Sequence, residues 1–266
     1  ATDATHNTAV GMDSMKAHET GNECTAIGYI ALNANTTGAG NTIVGSYAGD
    51  VNTTGGYNSA LGHNALGANT TASYNTAIGN SSLIANTTGA QNTAVGHSAL
   101  AANTDVSFNT AVGSSAGAAL SSGGNFVGMG YNAGASATSA TGTTLIGSLA
   151  GDAITSADYN TALGYAALSA SITGAQNTAV GTYALQAALE DNNTAVGYAA
   201  MQNCTSGEYN TAVGHAALDA ALEGDHNTAV GTSALGVNTT GANNVAIGNY
   251  TGDAVTTALG NVLYGY

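Results

Sequence analysis

Apolar and polar positions recur along this chain with a regular period, and one short stretch in each period alternates strictly. Runs of the form Asn-Thr-Ala-Val-Gly end at Gly11, Gly28, Gly45 and so on to Gly265. The step between these glycines is always seventeen, except for the step of sixteen from Gly181 to Gly197. With the Asn as position 1, position 2 is mostly Thr, position 3 mostly Ala, position 4 almost always aliphatic, position 8 mostly Ala and position 9 Leu or Gly. Alternation over positions 1 to 5 predicts a short strand, because side chains two apart in a strand share a face. A helical repeat is disfavoured. Each copy holds several Gly and Asn, which are poor helix formers, while its Thr and Val suit strands.

One strand-bearing coil per repeat, closed by Gly/Asn turns, predicts an all-β fold. It is a parallel β-solenoid or β-roll of about sixteen 17-residue coils, a single repetitive domain over residues 1–266. Sixteen coils stacked at the spacing of hydrogen-bonded strands would make a rod roughly 75 Å long. The aliphatics of position 4 are the expected core: Val10, Ile27, Val44, Leu61, Ile78, Val95, Val112, Leu163, Val180, Val196, Val213, Val230 and Ile247. The Leu residues of position 9 are expected to join them. The Asn residues of position 1, among them Asn58, Asn75, Asn92, Asn109, Asn160, Asn177, Asn193, Asn210 and Asn227, are expected to stack as an amide ladder.

Such a core is thin. One or two aliphatics per coil, at about 0.8 kcal/mol per buried CH₂, must offset about 1–2 kcal/mol of backbone entropy for every residue ordered. The small residues at positions 1, 3 and 5 would form a smooth outer face, and that face is expected to pack against another copy of the chain. No polar cap closes either end of the repeat array, as solenoids require. The segment is therefore expected to continue into other fibre or adhesin domains, or to be capped by other chains.

Composition narrows the functional classes. One Lys, Lys16, and no Arg stand against 15 acidic residues, for a net charge of −14. Nucleic-acid binding, which relies on Lys and Arg displacing counterions, is excluded as an expectation, and anionic membrane surfaces are disfavoured. No run approaches the roughly 20 apolar residues of a spanning helix, so membrane insertion is not expected. Cys24 and Cys204 lie too many coils apart for a disulfide. No Ser/His/Asp or Cys/His arrangement stands out from the repeat, so neither an enzyme nor a cofactor is expected.

Runs such as NTAVGHSAL (92–100), NTALGYAAL (160–168) and NTTGAQNTAVG (86–96) resemble repeats in the shafts of bacteriophage tail fibres. They are also similar to the shorter-period head repeats of trimeric autotransporter adhesins. The resemblance implies a homotrimer of left-handed parallel β-rolls, extracellular, with an adhesive or spacer role on a virion or a bacterial surface. Its partners would be copies of itself, neighbouring fibre or adhesin domains, and a cell-surface glycan or protein receptor.

A few side chains carry further expectations. Aromatics gather at position 6 (Tyr29, Tyr131, Tyr165, Tyr198) and position 17 (Tyr57, Tyr74, Phe108, Tyr159, Tyr209). They suit either packing at coil corners or stacking on sugar rings, since Tyr offers an apolar face and a polar tip. Glu190, Asp191, Glu208, Asp219, Glu223 and Asp225 fall within three consecutive coils and form a weak candidate for Ca²⁺; a solvated acidic face is the simpler reading. His63 and His97 share position 6 two coils apart, too far to share a zinc ion. Asn35-Thr36-Thr37 and Asn69-Thr70-Thr71 match the glycosylation acceptor pattern, which the turn chemistry of the repeat also explains. An ice-binding solenoid is a third possibility. It is disfavoured because Thr at position 2 shares its face with the aliphatics expected inside.

Overall fold

A computed structural model describes residues 4–220 and 223–265. The chain divides into two units, Ala1–Asn132 and Ala133–Tyr266. Each is a parallel β-solenoid carrying one three-residue strand per coil. The first holds eight strands, from β1 (Thr8–Val10) to β8 (Val127–Met129), and the second eight more, from β9 (Thr144–Ile146) to β16 (Val262–Tyr264). Among the described residues there is no helix.

Within each unit the strands pair in chain order with identical positions opposed: Thr8 with Thr25, Ala9 with Ala26, Val10 with Ile27. The shortened repeat keeps that register, with Thr178 opposite Thr194 and Val180 opposite Val196. A slip of one residue inside the strand would turn every side chain to the wrong face, so the missing residue is absorbed in the corner around Leu189 and Glu190.

The ladder runs beyond the strands and around the coil. In the sixth repeat Thr93 donates its N–H to Asn109, Gly96 to Ile78, Ser98 to Asn80, Leu100 to Ala116 and Ala102 to Ala118, each at 2.7–3.0 Å. Left-handed backbone makes these corners. Positions 7, 9 and 17 adopt positive φ even when they are not glycine, as at Ser98 (φ 54), Leu100 (φ 50) and Tyr74 (φ 63). Each such residue costs about 1 kcal/mol or more, a cost borne in every coil and offset by the bonds that the tight corner permits. Position 5 admits only glycine. Gly96 has φ 135, and a Cβ there would run into the carbonyl of Gly113 in the next coil.

The face assignment differs from the one expected. In every strand but β1 and β16 the middle residue, position 3, is buried, while positions 2 and 4 are half-buried or exposed. Val10, Ile27, Leu61, Ile78, Leu163, Val213, Val230 and Ile247 are exposed, and Val44, Val95, Val112, Val180 and Val196 are half-buried. Thr and the aliphatic of position 4 do share a face, and that face is the outer one. The small residues of positions 1 and 3 point inward, so they cannot form the outer packing face predicted for them. The reason is volume: so short a coil encloses a narrow interior, which Ala at positions 3 and 8 and one Leu at position 9 already fill. Ala94, Ala99 and Leu100 have no exposed surface.

Substitutions within single coils show how tightly this interior is packed. Where position 3 carries a large residue, Ile43 or Leu145, position 9 of the same coil is Gly49 or Gly151. A Cβ on Gly151 would approach Leu145 and Ile154 to 2.8 Å. Phe126 replaces Asn at position 1 and is fully buried, and Gly117 leaves the space that its ring occupies. Matched large-small pairs of this kind are what a close-packed core requires.

Candidate functional site

The predicted amide ladder is present, in a different chemical form. Each Asn of position 1 accepts, on its side-chain Oδ1, the backbone N–H of position 1 in the next coil, as Asn58 does from Asn75 and Asn177 from Asn193. The Nδ2 of most of them donates to the position 15 carbonyl of the same coil, as Asn75 does to Gly89 and Asn193 to Gly207, while that of Asn109 is buried without a partner. The side chains thus bond to backbone groups inside the coil, and in several coils the same carbonyl also accepts from the Asn of position 12, as Gly89 does from Asn86. A true amide-to-amide ladder exists at position 12 and was not read from the sequence. There Asn52, Asn69, Asn86 and Asn103 each donate to the Asn one coil before, at 2.8–3.1 Å. His18 ends this column, its ring nitrogens 3.0 Å from the side-chain nitrogens of Asn7 and Asn35.

That second ladder decides the fate of the glycosylation pattern. Asn35 and Asn69 are fully buried members of it, so neither is open to modification in the folded chain. The Thr that follows each Asn uses its hydroxyl to bond the Thr carbonyl of the next coil, as in Thr36 to Thr53 and Thr70 to Thr87. The NTT triplet is therefore a structural device. Cys24 and Cys204 are buried, unpaired and in different units. Burial pushes the Cys204 thiol up to about 11.

The outer strand face is the most regular surface. Position 2 presents a column of Thr, interrupted by Ser59, Val127, Val245 and Val262, and position 4 a parallel column of aliphatics ending in Met129 and Tyr264. Through all repeats, positions 1 to 6 contain no Asp, Glu, Lys or Arg. All the acidic residues fall on other parts of the coil. The outer face is thus uncharged on a strongly anionic chain.

The candidate calcium residues do not come together: among the described residues no three His, Cys, Asp or Glu side chains are placed to hold a metal ion. Their position in the coil explains several of them otherwise. Asp191 and Asp225 accept the backbone N–H of position 16 in the preceding coil, from Ala175 and Glu208, at 2.7 and 2.9 Å, as Asp158, outside the candidate set, does from Thr141. Ser73 and Ser107 do the same for Gly56 and Ala90. Asp50, Asp152 and Asp219, all at position 10, are half-buried, and desolvation raises the pKa of each.

The aromatic residues form two distinct columns. At position 17, Tyr57 and Tyr74 stack face to face with centroids 5.2 Å apart, and Tyr209 stacks on His226 at 5.0 Å. The rings of Tyr57 and Tyr159 also lie across Gly40 and Gly142 of the preceding coil. Here the aromatics pack at corners. At position 6, Tyr131 is exposed, whereas Tyr29 meets Tyr47 and Tyr47 meets His63 edge to face. Tyr165 and Tyr198 are joined through Tyr183. Tyr47 and Tyr183 occupy position 7, outside the predicted stripe. The positive φ of that position turns them toward the same ring column.

No known protein family matches this sequence, and no curated protein matches it either.

Proposed function

We propose that this chain is a non-enzymatic, extracellular shaft or adhesive segment of a phage tail fibre, assembled from parallel copies of itself. The observation that carries the reading is the outer strand face. It is aliphatic along position 4 and free of charge on a chain of net charge −14. Contiguous apolar surface of this extent on a folded chain marks an interaction site. Two anionic copies can approach closely only through a surface without carboxylates. Position 4 stays apolar from coil to coil although it is exposed or half-buried, which fits a partner with the same repeat. The resemblance to tail-fibre repeats supports three chains per cross-section. Sedimentation equilibrium of the full chain at micromolar concentration tests this: a mass of three chains is expected, and a single-chain mass would end the reading.

A second reading, ice binding, is favoured by one observation. The Thr column faces outward rather than into the coil, and regularly spaced Thr hydroxyls can order water. Measuring thermal hysteresis separates the two, because the same face cannot bind both ice and other copies.

A further inference from the structure

Tyr57 and Tyr74 fill position 17 of successive coils, and nowhere else in the chain does tyrosine fill one position in two successive coils. Both hold the left-handed corner, with φ 58 and 63. Hydrogen bonds fix that corner in each coil. Tyr57 donates its N–H to Ala39 at 2.8 Å and Tyr74 donates to Gly56 at 3.1 Å, while Gly56 donates to the hydroxyl of Ser73 at 3.0 Å. The two side chains therefore leave the backbone in the same direction. Their rings lie within 5° of parallel, with centroids 5.2 Å apart.

Among the described residues, the other parallel ring pairs set Tyr198 against His215 and Tyr209 against His226. Only at Tyr57 and Tyr74 does a parallel pair carry a phenol on both sides. Because the two residues share a position, the ortho carbons beside each hydroxyl face their counterparts at about the centroid separation. Tyr57 and Tyr74 are 57% and 59% exposed, so an oxidant reaches both, and the rings are free to tilt toward each other about χ1 and χ2. The thiols of Cys24 and Cys204, which would reduce a phenoxyl radical back to the phenol, are buried.

We propose that Tyr57 and Tyr74 are a site of oxidative cross-linking, at which a carbon–carbon bond straps one coil to the next. The oxidant is hydrogen peroxide acting through a haem peroxidase. Each phenol gives up one electron and its hydroxyl proton, and the peroxide takes both electrons and both protons to become two waters. The two phenoxyl radicals pair their spins at facing ortho carbons. The hydrogen on each of those carbons then moves to the phenolic oxygen, so the product is a dityrosine two hydrogens lighter than the starting chain. Holding both reactants in one corner makes the coupling intramolecular and fast. The strap closes a loop of one coil and restricts the unfolded chain, as a disulfide of that span does. This modification goes beyond the shaft reading and requires neither a receptor nor association of copies.

The full chain is treated with horseradish peroxidase and hydrogen peroxide at low protein concentration, then cleaved after its acidic residues. Asp50 and Asp105 are consecutive acidic residues, and the fragment between them, residues 51–105, contains Tyr57 and Tyr74 as its only tyrosines. Mass spectrometry is expected to show this fragment two hydrogens lighter. Further cleavage at Leu61 and Leu66 should leave its halves joined. The chain has no Trp, so the emission of dityrosine appears without overlap. The yield in the folded chain should exceed that in denaturant by about tenfold or more, the advantage of holding the two rings in place. Tyr57→Phe, which copies the natural Phe108 of the same position, should keep the circular dichroism of the fold and abolish the loss of two hydrogens. The cross-linked chain should melt at a higher temperature than the untreated one. An unchanged fragment mass after oxidation of the folded chain, an equal yield in denaturant, or coupling found only between different chains would overturn the proposal.

Discussion

The backbone N–H of Asn75 donates to the side-chain Oδ1 of Asn58, one coil earlier, at 2.9 Å. Asn75 repeats the relationship with Asn92 and uses its own Nδ2 on the carbonyl of Gly89. One buried side chain therefore serves backbone groups in two coils. Asn75→Ala leaves the Asn92 N–H unpaired, at about 1–3 kcal/mol, whereas the Gly89 carbonyl keeps its bond from Asn86. Chemical denaturation should show a loss of about 1–3 kcal/mol, the penalty of that one unpaired group. Asn75→Asp keeps the acceptor and loses the donor, and it places a carboxylate in the core, so it should be no milder at neutral pH. A loss for either variant no larger than that of an ordinary surface substitution, about 0.5 kcal/mol, would mean that the ladder is ornamental.

The pairing of large and small residues gives a second test. Gly151→Leu restores the common residue of position 9, yet it collides with Leu145 and Ile154. Overpacking of this kind costs about 1–3 kcal/mol. Leu168 holds a φ of 55 at the equivalent place, matching Gly151 itself, so backbone strain is not the obstacle. The triple variant Gly151→Leu/Leu145→Ala/Ile154→Asn relieves both contacts, reproduces the common arrangement of the coil and should recover most of the loss. Additive losses would count against volume as the cause.

The two strand faces respond oppositely to charge. Val196 lies on the outer face and Ala195 is fully buried beside it. Val196→Glu should leave the far-ultraviolet circular dichroism of the folded chain intact and lower its sedimentation mass toward that of one chain. Ala195→Glu should prevent folding, because it buries an unpaired charge in a space sized for a methyl group. If Val196→Glu leaves the assembly mass unchanged, the outer face is not where copies meet.

The position 10 carboxylates set a pH dependence. Burial raises the folded-state pKa of Asp50, Asp152 and Asp219 above 3.8. The folded chain thus holds their protons more tightly than the unfolded chain does. By linkage, the penalty they impose at neutral pH is relieved as pH falls through their raised values toward 3.8. Asp152, whose Oδ1 is buried without a hydrogen-bond partner, is the clearest case. Asp152→Asn should raise the melting temperature at pH 7, and the advantage should shrink as pH drops toward 4. An advantage that is constant across that range would assign the effect to packing.

The sequence by itself determined the period, the one strand per coil, the parallel stacking in register and the stacked Asn column. These follow from local chemistry that is repeated in every copy: β-branched residues at fixed positions, glycine at the one place where a Cβ would strike the next coil, and Asn beside it. The inner or outer role of each strand face was decided only by the closed coil. Alternation with a period of two is the same whichever parity points inward, and the usual preference for burying Val over Ala gave the wrong parity. Closing so short a repeat into one turn leaves room for methyl groups and a single Leu, so Ala94 went inside and Val95 stayed at the surface. The same holds for the ring column of the second unit. Tyr165 and Tyr198 were legible as a stripe, but Tyr183 joins them only because position 7 takes the left-handed backbone of the corner, a conformation imposed by closure rather than by any preference of tyrosine.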